Sequence, residues 1–306
     1  MPVADQLNTP TYSVSVIVPT KNRPREIEQA LASLSRQSVE PLEVVIVDQS
    51  GSEETAQVVQ EASRCGSGPD VVYIHDSGIQ GASAARNRAM ERTKGAIWLF
   101  MDDDVVLEPN FLEELLNVYR RYPQTTGVCG MITNYNPPPL PARIWAGLFA
   151  WGPFHDERQP LYWKAEALRN AEPIRVTKFG ATMMSFRADA IVEIRFDLDP
   201  AAFPGEDIDF CLRVAPGSVL LLAPRARGVH KRTPTARDGE HWLRASARSA
   251  SYLYRKHWRV GVRNRICFWW LQIGYVCAAL AGSIKRLSLA PWRALLEGIA
   301  LSPSPR

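Results

Sequence analysis

Short apolar runs alternate with longer polar segments along the first two thirds of the chain. Between the early runs, apolar residues recur at helical spacing, as Ile27, Leu31 and Leu34 do. Strands that alternate with helical connections predict an α/β fold with a single, doubly wound, mostly parallel sheet flanked by helices. The runs that predict strands cover residues 13–18, 42–47, 71–74, 95–101, 127–133, 179–187 and 219–223.

Three adjacent carboxylates, Asp102, Asp103 and Asp104, follow the apolar run at 95–101. Neighbouring like charges repel, so a fold gains nothing from them unless a cation or a hydrogen-bond donor is present. Ligands bind beyond the carboxyl ends of strands in open α/β sheets, and carboxylate oxygens there suit Mg²⁺ or Mn²⁺. The alternative is an acidic turn that ends the strand and caps the helix beginning near Pro109.

Polar residues also follow the earlier runs. Asp48 ends the second run, where it can accept hydrogen bonds from a base or ribose, or form an Asx turn. Arg86 lies in a small-residue segment that opens a helix toward the same crevice. The loop from Pro19 to Pro24 contains neither GxGxxG nor GxxxxGK[ST], so neither a Rossmann dinucleotide site nor a P-loop is expected there.

A second charged segment begins at Gly205, which allows the chain to turn before Glu206 and Asp207 start a helix. Carboxylates stabilise a helix N-terminus, and one of them could also serve as a general base at the crevice rim. His230 follows in a loop that begins at Gly228, beside two cationic residues. A lone histidine is more often structural than a ligand, so both interpretations stay open.

Residues 134–173 are rich in proline and aromatic side chains and predict a loop or partly helical flap. Aromatic faces can hold sugar rings or lipid chains, or they can form a small separate core. The sequence leaves both interpretations open.

Composition restricts the class of protein. With 46% apolar and 22% charged residues, the chain is typical of a globular protein. Its five cysteines are scattered without a CxxC spacing, which favours a reducing compartment over a zinc or disulfide framework. Residues 1–12 lack a basic stretch followed by an apolar run, so no secretory signal is expected.

The net charge of +4 is unevenly distributed. Residues 225–265 contain twelve Lys/Arg and two acidic residues and carry +10, so the other residues together carry −6. Such a segment fits phosphates, nucleic acid, an anionic membrane or a solvated helix face, and no recognisable nucleic-acid module accompanies it. Residues 266–284 are uncharged and predict an interfacial, a spanning or a packed helix.

Taken together, these segments resemble the family 2 glycosyltransferases of the GT-A fold over residues 13–230. No single motif is specific, but their ordered set is. The motifs are Val18-Pro19-Thr20-Lys21-Asn22-Arg23, Val47-Asp48, the segment from Gly81 to Asn87 that ends in Ala85-Arg86-Asn87, Asp102-Asp103-Asp104, and Gly205-Glu206-Asp207 followed by Asp209 and Arg213.

The resemblance implies a role for each motif. Asp102 and Asp104 would be the outer carboxylates of a DXD motif and, with His230, would hold a divalent cation, Mn²⁺ or Mg²⁺. Asp207 would be the catalytic base of an inverting enzyme, with Glu206 as a supporting neighbour. The implied nucleotide-sugar-binding residues are Pro19, Thr20, Asn22, Arg23, Asp48, Arg86, Asp102 and Asp103.

The implied function is metal-dependent transfer of a sugar from a nucleoside diphosphate donor to a hydroxyl acceptor, with inversion at the anomeric carbon. The implied acceptor is a hydroxyl-bearing glycan or a lipid-linked molecule, in cell-surface polysaccharide or glycolipid synthesis. One alternative is a sugar-phosphate nucleotidyltransferase, which would need a Gly-rich basic loop after the first strand. Another is a non-catalytic nucleotide- or sugar-binding module.

We expect three segments: an N-terminal tail (1–12), a GT-A catalytic domain (13–232) and a basic, apolar C-terminal helical region (233–306). The catalytic domain divides into a nucleotide-sugar-binding part (13–133) and an acceptor part (134–232). We further expect a cytoplasmic protein that binds an anionic membrane surface, namely the cytoplasmic face of the cell membrane. We expect no nucleic acid among its partners.

Overall fold

The seven predicted strands form one sheet, which also contains two short strands that the sequence did not predict, Val105–Leu107 and Ile174–Val176. The computed structural model describes residues 12–64, 68–214, 217–232 and 239–300. All residues of the first, second and fourth strands are buried, as expected for strands covered on both faces. The strands are β1 (Val14–Thr20), β2 (Glu43–Asp48), β3 (Val71–His75), β4 (Ile97–Met101), β5 (Val105–Leu107), β6 (Thr125–Ile132), β7 (Ile174–Val176), β8 (Met183–Arg187) and β9 (Val219–His230).

The strand order is β3-β2-β1-β4-β8-β6-β9-β5, and β7 pairs with β9 off this path. Adjacent strands from β3 to β4 are parallel, as are β6 and β9, whereas β5, β7 and β8 are antiparallel to their neighbours. Six of these nine strands therefore run in one direction, which confirms a mostly parallel sheet. The carboxyl ends of β1, β2 and β4 meet at one edge.

Helices connect and flank the strands. Helix α1 buries Ile27, Leu31 and Leu34, as the sequence predicted. A 3₁₀ turn covers Gly152–Phe154 and a π-helical turn covers Tyr254–Trp258. The α-helices are α1 (Pro24–Leu34), α2 (Glu54–Arg64), α3 (Ala82–Met90), α4 (Phe111–Arg121), α5 (Leu140–Phe149), α6 (Arg158–Tyr162), α7 (Ala188–Ile191), α8 (Glu206–Arg213), α9 (Gly239–Leu253), α10 (Val262–Arg286) and α11 (Ala290–Ala300).

Contacts divide the chain into two compact units. The first unit contains the whole sheet and helices α1–α4, and the second contains α5, α9, α10, α11 and most of α8. The first comprises Met1–Tyr135, Leu161–Phe196 and Arg213–Thr233, and the second comprises Asn136–Pro160, Asp197–Leu212 and Pro234–Arg306. The segment limits expected from the sequence stay predictions, and the N-terminal tail lies outside the described residues up to residue 11.

Two strand boundaries differ from the prediction, and one open interpretation is decided. The strand expected at 179–187 begins at Met183, because its antiparallel partner β4 ends at Met101 and the next amide, that of Asp102, donates to the Thr182 carbonyl instead (3.3 Å). The strand expected at 219–223 continues to His230 because its second half pairs with β5. The proline-rich segment is partly helical, as one of its interpretations proposed, since it contains α5.

Candidate functional site

The acidic turn between β4 and β5 lies at the edge where the parallel strands end. Strand β5 pairs antiparallel with β9 and places Val105 opposite His230, so the His230 ring reaches the turn. Its Nε2 atom lies 3.1 Å from Oδ1 of the buried Asp104. His230 therefore lies in a strand rather than in the loop that the sequence predicted. Asp102, Asp104 and His230 each offer one ligand atom, and these atoms lie within 4.8 Å of one another.

This donor set fits a divalent cation. Two carboxylate oxygens suit Mn²⁺ and Mg²⁺, and an imidazole nitrogen adds a ligand that transition metals accept more readily than Mg²⁺. Two carboxylates this close repel each other unless positive charge lies near them. The structure thus brings together all three predicted metal ligands, and their chemistry matches the predicted ion.

Arg86 supplies a fixed positive charge beside Asp102. Its Nη2 atom lies 2.9 Å from Asp102 Oδ1, and only 3% of the Arg86 side chain is exposed. The guanidinium lies 5.3 Å from the centre of the Phe196 ring. Asn87 in turn exchanges two hydrogen bonds with the Phe196 backbone, at 2.9 and 2.7 Å. Helix α3 and the backbone at Phe196 therefore hold Arg86 in place.

The middle carboxylate, Asp103, turns toward β1. It accepts hydrogen bonds from Thr20 Oγ1 (2.8 Å) and from Arg23 Nη1 (2.7 Å). Burial raises the pKa of Asp103 to about 6, although Arg23 and Thr20 oppose the shift. Arg23 also lies 3.6 Å from Asp104. Thr20 and Arg23, two residues predicted to bind the donor, thus both bind Asp103, a third, and tie the acidic turn to the first strand.

Asp48 is buried at the end of β2 and lies opposite Thr20 in the sheet. Its Oδ1 accepts hydrogen bonds from the Ser50 amide (2.9 Å) and the Ser50 hydroxyl, and its Oδ2 accepts one from Tyr73 (2.7 Å). The Asx-turn alternative is therefore what the structure contains. The amide of Asn22 donates to Ser50 Oγ at 2.7 Å.

The remaining predicted donor residue of β1, Pro19, is buried in the strand opposite Val47. Asn22, by contrast, is exposed and adopts a positive φ of 55°. Asparagine is among the few residue types that tolerate this left-handed conformation. The loop after β1 therefore exposes Asn22, whereas Thr20 at the end of β1 and Asp48 at the end of β2 are buried.

In the second unit, Glu206 and Asp207 are the first residues of α8, as predicted. The Oδ1 atom of Asp207 accepts a hydrogen bond from the Ile208 amide at 2.7 Å. Both carboxylates are partly exposed. Negative charge at this position is favourable because the amide groups of the first helical turn point toward it.

A cluster of ionisable side chains forms around Asp209, the third residue after Glu206 in α8, and the sequence did not indicate it. Asp209 is completely buried, and its Oδ1 lies 2.7 Å from Lys256 Nζ and 2.7 Å from His257 Nε2. Lys256 also contacts Asp197, which accepts a hydrogen bond from Tyr252. Burial alone would raise the pKa of Asp197, but the bonds from Lys256 and Tyr252 outweigh it and lower the pKa.

The helical pattern had predicted Ile208, Cys211 and Leu212 on the inner face of α8, whereas Asp209, Phe210 and Cys211 are its buried residues. The π-helical turn is the element that presents Lys256 and His257 together to Asp209. Such turns are frequent at functional sites. Nothing in the sequence marks the π-helical turn, so the cluster could not have been found without the structure.

Carboxylates and a histidine at the carboxyl ends of parallel strands place the chain in the class of α/β proteins that bind ligands at that edge. Residues 15–190, more than half of the chain, match the family model described as glycosyl transferase family 2. The chain belongs to glycosyltransferase family 2.

Known relatives agree with this family. Succinoglycan biosynthesis protein ExoM of Rhizobium meliloti is 28% identical over 242 residues, which cover 76% of this chain and 71% of ExoM. The GalNAc(5)-diNAcBac-PP-undecaprenol beta-1,3-glucosyltransferase of Campylobacter jejuni is 30% identical over 105 residues, which cover 34% of this chain and 33% of that protein. For four curated relatives, the match spans only 30% to 40% of the relative's length.

A solved structure shows the same fold. The mannosyltransferase PcManGT from Pyrobaculum calidifontis, in complex with GDP-Man and Mn²⁺, superimposes with a TM-score of 0.61 at 19% sequence identity. The superposition covers 95% of this chain and 81% of that one. The predicted GT-A fold class is therefore confirmed.

Proposed function

We propose that the chain is a metal-dependent, inverting glycosyltransferase that moves a sugar from a nucleoside diphosphate donor to a hydroxyl acceptor. The observation that carries the proposal is the convergence of Asp102, Asp104 and His230 within 4.8 Å at the carboxyl edge of the sheet. The structural neighbour PcManGT, whose complex contains GDP-Man and Mn²⁺, supports a donor and a metal of this kind.

In this proposal, Asp102, Asp104 and His230 hold the divalent cation. Bound there, the cation would supply the positive charge that a departing nucleoside diphosphate requires. The imidazole of His230 favours Mn²⁺ over Mg²⁺, because transition metals accept a nitrogen ligand more readily than Mg²⁺ does. Arg86 contributes a positive charge that is fixed by its contact with Phe196, and it serves the base or a phosphate of the donor.

The base and ribose of the donor bind along the ends of β1 and β2, at Pro19, Thr20, Asn22, Arg23 and Asp48. Asp103 takes part through its bonds to Thr20 and Arg23, which fix the loop that bears Asn22. Asp48 acts from a preformed Asx turn. A carboxylate held by donors on both of its oxygens does not need to reorganise when a ribose hydroxyl approaches.

Asp207 acts as the general base. Its position in the first turn of α8 favours the ionised carboxylate, which is the form that accepts a proton. The acceptor oxygen forms a bond to the anomeric carbon while the bond from that carbon to the diphosphate oxygen breaks, and the hydroxyl proton goes to Asp207. One displacement from the opposite face inverts the anomeric centre. Glu206 supports Asp207 from the adjacent position.

The relatives indicate the class of acceptor. ExoM is named for succinoglycan biosynthesis, and the Campylobacter relative is named for an undecaprenol-linked glycan. We therefore propose a glycan or lipid-linked acceptor in cell-surface polysaccharide or glycolipid synthesis, and a location on the cytoplasmic face of the cell membrane.

The experiment that tests the donor site is thermal unfolding with UDP-, GDP-, dTDP- and CDP-sugars, each with and without Mn²⁺. A ligand that binds only the folded chain raises Tm by mass action. We expect one nucleotide to raise Tm only with Mn²⁺, and Asp104→Ala to abolish this shift. Asp70→Ala, at an exposed acidic residue of the same unit, is the matched control and should keep the shift. If no nucleotide sugar shifts Tm of the wild type, the proposal fails.

Catalysis is tested separately from binding. Asp207→Asn should abolish sugar transfer while the Tm shift with donor and Mn²⁺ remains. If the variant transfers sugar as the wild type does, Asp207 is not the base. Release of pyrophosphate from a nucleoside triphosphate and a sugar phosphate would instead identify a nucleotidyltransferase, and binding without transfer by the wild type would identify a binding module.

A further inference from the structure

Helix α10 exposes apolar residues on the face that does not pack against the protein. Seven exposed residues recur at intervals of three or four and form one stripe along the helix. They are Val262, Ile266, Trp269, Ile273, Cys277, Leu280 and Ile284. Apart from Cys277, the exposed fractions of these residues run from 48% to 74%. No charged residue interrupts the stripe, so we call it the apolar stripe.

The opposite face of α10 packs against its own unit. Cys267, Phe268, Leu271, Gly274 and Ala279 are buried there. The Phe268 ring stacks on Tyr254 with 4.0 Å between ring centres, and the Tyr275 hydroxyl donates to the Ser246 carbonyl at 3.3 Å. One face of α10 thus belongs to a protein core while the other is apolar and open.

Helix α5 continues the exposed apolar surface. Leu140, Ile144 and Leu148, spaced four residues apart, are between 52% and 63% exposed. The Trp270 indole of α10 donates to the Leu148 carbonyl at 2.6 Å, and its ring contacts Trp151 with 5.8 Å between ring centres. Both tryptophans are themselves exposed, so they join the two surfaces. An exposed apolar surface drawn from two helices marks an interaction site.

The charges around the apolar stripe indicate its partner. Arg263 and Arg265 flank its beginning and Lys285 flanks its end. All three are exposed, and α10 has no acidic residue. Cations around an apolar surface that contains tryptophan match the interface of an anionic bilayer, where tails take the apolar side chains and headgroups meet the cations.

The neighbours of α10 decide between lying on the membrane and crossing it. Helix α10 is long and apolar enough to span a bilayer, and among the described residues no other helix meets that criterion. It packs, however, on helices that carry ion pairs: Arg286 contacts Glu240 of α9 at 2.7 Å, and Arg244 of α9 contacts Glu297 of α11 at 2.9 Å. Ion pairs of this kind are costly in hydrocarbon.

We infer that the apolar stripe of α10, with the exposed face of α5, inserts into the interface of an anionic membrane while α9 and α11 stay on the water side. This inference deepens the membrane location within the proposed function. It selects the interfacial helix from the three interpretations that the sequence left open. Within the aromatic segment at 134–173, it gives a lipid-binding role to the exposed residues of α5 and to Trp151.

The test is flotation of the full chain with vesicles of phosphatidylcholine and phosphatidylglycerol, and with phosphatidylcholine alone. We expect the wild type to float with the anionic vesicles. The triple variant Ile266→Gln, Trp269→Gln, Ile273→Gln should lower binding at least about a hundredfold, because three large apolar side chains lose their transfer into lipid. The double variant Arg263→Gln, Arg265→Gln should lower binding to anionic vesicles about fivefold per charge.

The matched control replaces three exposed apolar residues away from the apolar stripe, Leu42→Gln, Val192→Gln and Leu198→Gln, and should float as the wild type does. Circular dichroism and Tm verify that each variant folds. The inference is overturned if the wild type does not float, or if the triple variant floats as well as the wild type. It is also overturned if light scattering shows that the wild type is a dimer, that only the triple variant loses the dimer, and that the wild type does not bind vesicles. Retention in membranes after alkaline carbonate extraction would replace it by a spanning helix.

Flotation needs neither donor nor metal, so Asp104→Ala should float as the wild type does. A failure of this inference is thereby distinguishable from a failure of the proposed function.

Discussion

His230 Nε2 lies 3.1 Å from Asp104 Oδ1, although 125 residues separate them along the chain. The contact exists because β5 and β9 pair antiparallel beside the acidic turn. It converts a histidine at the end of a strand into a candidate metal ligand.

We therefore expect His230→Ala to raise the Mn²⁺ concentration needed for half-maximal donor binding at least about tenfold, since loss of one group at a metal site commonly costs that much. A Mn²⁺ titration of the donor-induced Tm shift measures the effect. His155→Ala, at an exposed histidine of the second unit, is the control. An unchanged Mn²⁺ requirement in His230→Ala would remove this residue from the metal site.

The buried carboxylate of Asp209 should be important for stability because it forms an ion pair with Lys256 and also contacts His257 Nε2. We expect Asp209→Asn to lower the free energy of unfolding by about 3 kcal/mol, since breaking a buried ion pair leaves its partners without compensation. Urea unfolding of Asp209→Asn, His257→Gln and the double variant measures their coupling. Groups in direct contact should show a coupling energy of about 1 kcal/mol or more. Strictly additive effects would contradict the contact seen here.

Asp197 should make stability depend on acidic pH. Its pKa is lower in the folded chain than in the unfolded chain, where it is about 3.9. The folded state thus favours the ionised form, so the stabilisation is present above about pH 4 and is lost as pH falls through the folded pKa below that value. In urea unfolding, Asp197→Asn should be less stable than the wild type at neutral pH, and the difference should shrink toward pH 3. A difference that does not change with pH would contradict the shift.

Two glycines of the α5–α10 pair should respond in opposite directions to the same substitution. A Cβ atom at Gly274 would lie 2.5 Å from Phe149 Cγ, whereas a Cβ atom at Gly147 would meet nothing within 4 Å. Gly274→Ala should therefore lower the free energy of unfolding by about 1–3 kcal/mol through overpacking. Gly147→Ala should raise it by about 0.5–1 kcal/mol because alanine is the better helix former. Thermal unfolding measures both, and effects of the same sign would show that α5 does not pack on α10 in this way.

Local sequence determined most elements of the first unit, although the short strands β5 and β7 were not predicted. A short, β-branched apolar run such as 44–47 is typical of a strand that is buried on both faces, and the spacing of Ile27, Leu31 and Leu34 specifies a helix with one inner face. The position of Asp102, Asp103 and Asp104 at the end of such a run placed the acidic turn at the ligand-binding edge. These features depend only on residues that are neighbours along the chain, so they can be predicted from the sequence.

Only the tertiary structure decided which groups meet across long separations. It joined Asp103 to Thr20 and Arg23, brought His230 to Asp104, and buried Asp209 against Lys256 and His257. It also decided which side of α10 is exposed, since an apolar helix looks alike in sequence whether its surroundings are protein or lipid. Each of these outcomes depends on strand pairing or helix packing between distant segments, which local periodicity does not encode.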